Sequence, residues 1–114
     1  MMDAIDRSVL ADLTASVGED FIGELIDTFL EEAPGMFSEM KQALSAGDVD
    51  SFRRAAHSLK SNANTFGATG LAEQARELEY MARENNLDIG NKLEVLEDAY
   101  KKAARELLKL KGND

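Results

Sequence analysis

No cysteine occurs among the 114 residues, which excludes disulfide staples, thiolate metal sites and cysteine nucleophiles together. Proline occurs once, and most of the eight glycines fall between apolar-periodic segments. That composition favours helices over a turn-rich β fold. No stretch approaches the roughly 18 consecutive apolar residues of a membrane span. The stretch Met1 to Val17 carries acidic residues and no continuous apolar run, unlike a secretory leader, so a cytoplasmic location is the default expectation. Positive charge is scarce: 13 Lys and Arg against 22 Asp and Glu leave a formal net charge of −9. Such a chain repels phosphate backbones and anionic lipid, so neither nucleic acid nor membrane is an expected partner. Internal repeats, low-complexity stretches and linkers are missing too, which points to one domain over residues 1–114. A Gly-rich phosphate loop is also lacking, and the length leaves no room for an ATP-binding kinase domain.

Hydrophobic residues make up 44% of the chain, enough for a real core. Apolar spacing and caps predict five helices. The first spans about Asp6 to Ser16, with Val9, Leu10 and Leu13 on one side. The second spans Glu19 to Ala46, with the stripe Ile22, Ile26, Phe29, Ala33, Phe37, Met40 and Leu44. Pro34 lies inside it and removes the donor owed to the Leu30 carbonyl, yet the stripe keeps its phase on both sides. One long kinked helix is therefore expected. Gly47 and Asp48 separate it from a third helix, Val49 to Phe66, with Asp48 as N-cap and Gly67 as stop. The fourth runs from Gly70 to Asn85 with Thr69 as cap and Leu71, Ala75, Leu78 and Ala82 inward. The fifth runs from Ile89 to Lys111 with Leu93, Leu96, Tyr100, Ala103, Leu107 and Leu110 at bundle-seam spacing. Four long amphipathic helices on short connections predict an all-α antiparallel four-helix bundle, with the short N-terminal helix covering one end or side.

The sole histidine, His57, lies on the third helix. Phe52, Ala56, Leu59, Ala63 and Phe66 form that helix's core stripe, and His57 is about 140° around the axis from Phe52. Arg53, Lys60, Ser61 and Asn64 surround it on the outer face, and Arg54 adds further positive charge. An exposed neutral imidazole, with an unperturbed pKa near about 6.5, is a nucleophile at physiological pH and can form covalent intermediates. Lys60, three residues onward, reaches the same surface, where its ammonium can stabilise phosphoryl oxygens. Periodicity alone justifies a helical bundle with an exposed histidine; by itself that histidine is an ordinary solvated residue. A di-iron bundle needs two Glu-x-x-His units, and here the residue three before the one histidine is Arg54, so no metal site is expected. Serine hydrolase chemistry also fails, because Ser58 and Ser61 sit with His57 on a convex helix face that forms no oxyanion hole.

The segment from His57 to Gly67, His-Ser-Leu-Lys-Ser-Asn-Ala-Asn-Thr-Phe-Gly, resembles the signature of histidine-containing phosphotransfer (HPt) domains. His57, Leu59, Lys60, Phe66 and Gly67 fall in register with it. Phe29 to Pro34, Ala46-Gly47-Asp48, Ala55-Ala56, Leu71 and Leu78-Glu79 resemble its flanks, so the likeness covers about Asp20 to Arg83. One departure is Ser61, where the family usually has glycine; Asn62 is also bulkier than the usual serine or alanine. The resemblance implies that His57 exchanges a phosphoryl group with an aspartyl phosphate on a response-regulator receiver domain, with a hybrid sensor kinase as the further partner. Lys60 would neutralise charge on the phosphohistidine. Arg53, Arg54, Ser61, Asn64 and Gly67 would form the receiver docking face. The family needs no bound cofactor, and the Mg²⁺ used in transfer belongs to the receiver. A phosphocarrier of this kind has no independent catalytic site, and a monomer suits it. The alternative is a helical adaptor that binds a receiver or another signalling protein without being phosphorylated.

Overall fold

The computed structural model describes residues 4–112. Five helices follow in order: α1 (Arg7–Val17), α2 (Glu19–Ala46), α3 (Val49–Thr65), α4 (Thr69–Arg83) and α5 (Lys92–Gly112). The connections are short where the local chemistry forces a reversal. Gly18 alone, at φ 95°, joins α1 to α2. Between α2 and α3, Gly47 adopts a left-handed φ of 67°, and the Asp48 N–H reaches back to the Ala43 carbonyl at 2.9 Å. This is the glycine-terminated ending that satisfies orphan carbonyls. The Asp48 carboxylate then caps α3, accepting from the Ser51 backbone N–H at 3.1 Å and its hydroxyl at 2.7 Å. Short reversals of this kind place successive helices antiparallel. α3 packs on α2 and most extensively on α4, while α5 lies against α2 and α4 and α1 against α2 and α3.

α2 has 28 residues and at 1.5 Å per residue is about 42 Å long, close to the 43 Å long axis of the molecule. It runs unbroken through Pro34. The Leu30 carbonyl, deprived of its donor by that proline, is approached instead by the Tyr100 hydroxyl of α5 at a long 3.5 Å. Tyr100 also packs edge-on against Phe29, with ring centroids 6.0 Å apart, and Phe29 stacks on Phe66 at 5.3 Å. The α3 stripe of Phe52, Ala56, Leu59, Ala63 and Phe66 is buried as expected, and Ala55 joins it. The small residues at 55, 56 and 63 let the neighbouring helices approach closely.

Five local expectations are corrected. α3 ends at Thr65, with Phe66 as its C-cap. Thr69 is the first residue of α4 and Ala68 its N-cap, with no side-chain cap bond. The Ala68 N–H satisfies the Ala63 carbonyl at the end of α3, and the Thr69 N–H, the first donor of α4, reaches the Gly67 carbonyl. α4 ends at Arg83, and α5 begins at Lys92 instead of Ile89. Asn85 and Gly90 both take positive φ, and the Asn86 side chain accepts from the Asp88 N–H, so these residues form a connection. Leu110, placed on the α5 seam by spacing, is exposed at the far end of the helix.

Candidate functional site

The outer face of α3 and the adjoining edge of α4 come together at one carboxylate. Glu79 of α4 is only 3% exposed, yet it lies at the surface end of the α3–α4 seam. Its Oε2 is 2.8 Å from His57 Nδ1 and 3.2 Å from Arg83 Nη2. Its Oε1 is 2.7 Å from Lys60 Nζ. A buried carboxylate is costly unless paired and hydrogen-bonded, and here every partner is a donor. Burial pushes the Glu79 carboxyl up, but the hydrogen bonds and charges of Lys60 and His57 outweigh it and hold the group below its ordinary value. Glu79 is therefore ionised at neutral pH.

That state fixes the imidazole. An ionised carboxylate only accepts, so Nδ1 carries the proton and donates it to Oε2. In the neutral ring the lone pair then resides on Nε2, which has no hydrogen-bond partner among the described residues. The His57 side chain is 56% exposed. Beneath it, Phe52, Ala56 and Leu59 are fully buried and hold α3 rigid. The ring is thus tethered at one nitrogen and open at the other, an arrangement suited to a nucleophile that must meet a group carried by another protein.

Lys60 reaches the site as expected, but its ammonium is ion-paired with Glu79. Only one of its three donors is engaged there, so the others remain for an incoming anion. Lys60 and Arg83 against Glu79 leave a local charge of about +1 beside a neutral ring, in a chain of net charge −9. Ser61 and Asn64 follow His57 along the same exposed face. Arg53 is paired with Asp50 at 3.3 Å. Arg54 is exposed but lines a different groove, between the end of α2 and α3, with Glu39, Asp48 and Ser58.

Gly67, expected with Ser61 and Asn64 on one surface, does not share their exposed face. It is buried at the α3–α4 turn, where its carbonyl accepts from the Asp6 N–H at 2.7 Å. A Cβ there would stand 2.7 Å from the Asp6 carbonyl oxygen and 3.1 Å from Val9 Cβ, and φ is +77°. Only glycine accepts both the close approach and the left-handed backbone, so the role of Gly67 is to seat the segment leading into α1.

The apolar pattern pointed to neither Glu79 nor Arg83. The available signal was a charge in the core stripe of α4: residue 79 is four after Ala75 and three before Ala82, both buried. A charged residue in that register has to find partners, and Arg83 is its (i, i+4) neighbour. Among the described residues no group of three or more metal-ligating side chains converges, and no helix is long and apolar enough to cross a membrane.

The profile of the Hpt domain family matches residues 24–111, a range that contains the whole site and omits α1. Phosphorelay protein LuxU of Vibrio harveyi is 28% identical to this chain over 85 residues, covering 75% of each. LuxU of Vibrio cholerae is 28% identical over 105 residues, covering 88% of this chain and 93% of its own. The crystal structure of histidine-containing phosphotransfer protein B (HptB) from Pseudomonas aeruginosa matches with a TM-score of 0.87 at 28% identity, covering 97% of this chain and 96% of its own.

Proposed function

Since the chain belongs to the Hpt domain family, we propose that it acts in a phosphorelay by carrying a phosphoryl group on Nε2 of His57. The observation that carries this reading is the half-exposed ring held at Nδ1 by Glu79 at 2.8 Å. The Nε2 lone pair attacks the phosphorus of an aspartyl phosphate on a receiver domain. The P–N bond forms as the P–O bond breaks, and the electron pair of that bond returns to the aspartate oxygen. Transfer onward reverses the roles. Phosphoryl transfer has little covalent chemistry for a protein to assist beyond positioning and charge. Lys60 and Arg83, both already at the site, supply charge; His57 supplies the nucleophile.

The rest of the catalytic apparatus, including Mg²⁺, belongs to the receiver, so the chain acts as a carrier without an independent active site. Residues 1–114 are read as a single HPt-like helical domain, with the family match over residues 24–111. The docking surface is the exposed strip through His57, Ser61 and Asn64, with Arg53 at its edge. A receiver domain and a hybrid sensor kinase are its partners, met in the cytoplasm by a monomer.

The test is phosphate uptake. Purified protein incubated with a phosphorylated receiver and Mg²⁺ should gain one acid-labile, base-stable phosphate per chain, and His57→Gln should gain none. A stable receiver complex in which no phosphate moves would sink the carrier reading and leave an adaptor.

A further inference from the structure

An ionised glutamate is a stronger partner for the ring than hydrogen bonding alone requires. A neutral amide at position 79 would also accept from Nδ1–H and hold the ring in place. The difference arises after phosphorylation. When Nε2 bonds to phosphorus while Nδ1 keeps its proton, the ring carries a positive charge. If that proton is lost to water the ring becomes neutral, and breaking the P–N bond must then expel an imidazolide anion, a poor leaving group. With the proton kept, the bond breaks to release neutral imidazole, the electron pair passing to Nε2.

We propose that Glu79 holds the ring proton on Nδ1 throughout the phosphorylation cycle, so that phosphoryl arrives at and leaves Nε2 without proton movement and the phosphorylated ring stays ready to transfer. This rests on His57 being the carrier. Glu79 is a positioning residue here, since it acts through the ring and does not touch the phosphorus.

The charged groups around the ring bear on this; on α3 itself Arg53 is paired with Asp50 at 3.3 Å and Arg54 lines the separate α2–α3 groove. Glu79 of α4 contacts Nδ1 directly at 2.8 Å. Lys60 of α3 and Arg83 of α4 reach the ring's surroundings through the same carboxylate, at 2.7 and 3.2 Å. Among the described residues, α1 and α2 contribute no ion-pair partner to the ring. The two cations oppose a positive ring, but the phosphoryl group brings its own negative charge to meet them. The carboxylate, buried and in contact with Nδ1, has no such competitor. An opposite charge at contact range favours the charged form by roughly ten- to a thousandfold. A glutamine retains the hydrogen bond and forfeits that factor.

The experiment compares the wild-type chain with Glu79→Gln, both phosphorylated with phosphoramidate and then presented to one receiver domain with Mg²⁺ between pH 6.5 and 8.5. Any titration in the receiver is common to both and cancels in the ratio of rates. At pH 6.5 the two chains should transfer at similar rates; at pH 8.5 the variant should be at least about tenfold slower, the factor that corresponds to one unit of proton affinity. A rate ratio that does not change with pH overturns the inference. ¹⁵N NMR of the phosphorylated wild-type ring decides the matter without a variant. Nδ1 should remain protonated at pH 8.5, where the ring of a short phosphohistidine peptide is neutral; a ring that titrates together with the peptide's overturns the inference. A chain that takes up no phosphate from phosphoramidate overturns the carrier reading itself, and this inference with it.

Discussion

Replacing Gly67 with alanine tests whether this glycine seats the N-terminal segment or shapes a docking face. The added methyl group would stand 2.7 Å from the Asp6 carbonyl oxygen, which is backbone and cannot swing aside. Three costs follow. A left-handed φ of +77° costs a residue with a Cβ about 1–2 kcal/mol. Pushing Asp6 away weakens the 2.7 Å bond from its N–H to the Gly67 carbonyl, worth about 1 kcal/mol. Displacing the segment also loosens Ile5 and Leu10, both buried, and overpacking of this kind costs about 1–3 kcal/mol. The expected loss is therefore about 3–6 kcal/mol, a large share of the roughly 5–15 kcal/mol that holds a domain together. Gly47→Ala is the internal control. Its φ is a similar +67°, but nothing lies within 4 Å of the added Cβ, so only the backbone cost of about 1–2 kcal/mol applies. Urea denaturation of both variants at one temperature gives the comparison directly, provided the slopes agree. If the two losses agree within about 0.5 kcal/mol, the margin for independent sites, the close approach of α1 to the α3–α4 turn is refuted. The folded fraction of Gly67→Ala should still accept phosphate, because His57 lies ten residues away on the intact part of α3.

Two further outcomes follow from packing and from charge. Leu59→Ala removes a fully buried side chain from the layer beneath His57 and should lower unfolding free energy by about 2–5 kcal/mol in urea denaturation; a loss under about 1 kcal/mol would show that the layer is not packed as described. Glu79 has a folded-state proton affinity below that of its ordinary value of 4.5, so its contribution is complete above pH 4.5 and is lost as pH falls through the lowered folded value. Thermal midpoints measured from pH 6 down to pH 3 should therefore fall more steeply for wild type than for Glu79→Gln, and parallel curves would contradict the assignment.

The fold was legible where periodicity is long and its interpretation does not depend on neighbours. The stripe from Ile26 to Met40 keeps its phase across Pro34, and those positions are buried along one unbroken helix. The α3 stripe was equally clear, and it placed His57 outward. Helix ends were less legible, since they depend on backbone bonds that no side chain announces. Thr69 has the right chemistry for a cap, but the turn carries the chain one residue earlier into the helix, so Ala68 takes the cap position and Thr69 the first helical one. Leu110 has seam spacing but lies at the far end of α5, where it remains exposed. Gly67 was correctly placed as a helix stop, while its contact with Asp6 spans some sixty residues of sequence and leaves no periodic trace. Of the site, the positions of His57 and Lys60 were legible from one helix. Glu79 and Arg83 were not, because their significance lies in a contact between α3 and α4.

That contact also constrains how the site can respond to a phosphoryl group. Lys60 and Arg83 share the Glu79 carboxylate with His57. A phosphoryl group on Nε2 attracts them. If both abandoned Glu79, a carboxylate only 3% exposed would be left without a charged partner, at a cost of several kcal/mol. Two features avert this. Lys60 has three donors and Arg83 five, so each can bond a phosphoryl oxygen while keeping one bond to the carboxylate. The ring, positive once phosphorylated at Nε2 with Nδ1 still protonated, is itself a charged partner at 2.8 Å. The buried anion therefore remains compensated whether the cations turn toward the phosphoryl group or stay in place. A site with the same histidine and lysine over an uncharged neighbour would hold no buried anion to compensate, and its phosphorylated ring would lack the opposite charge that favours the protonated form.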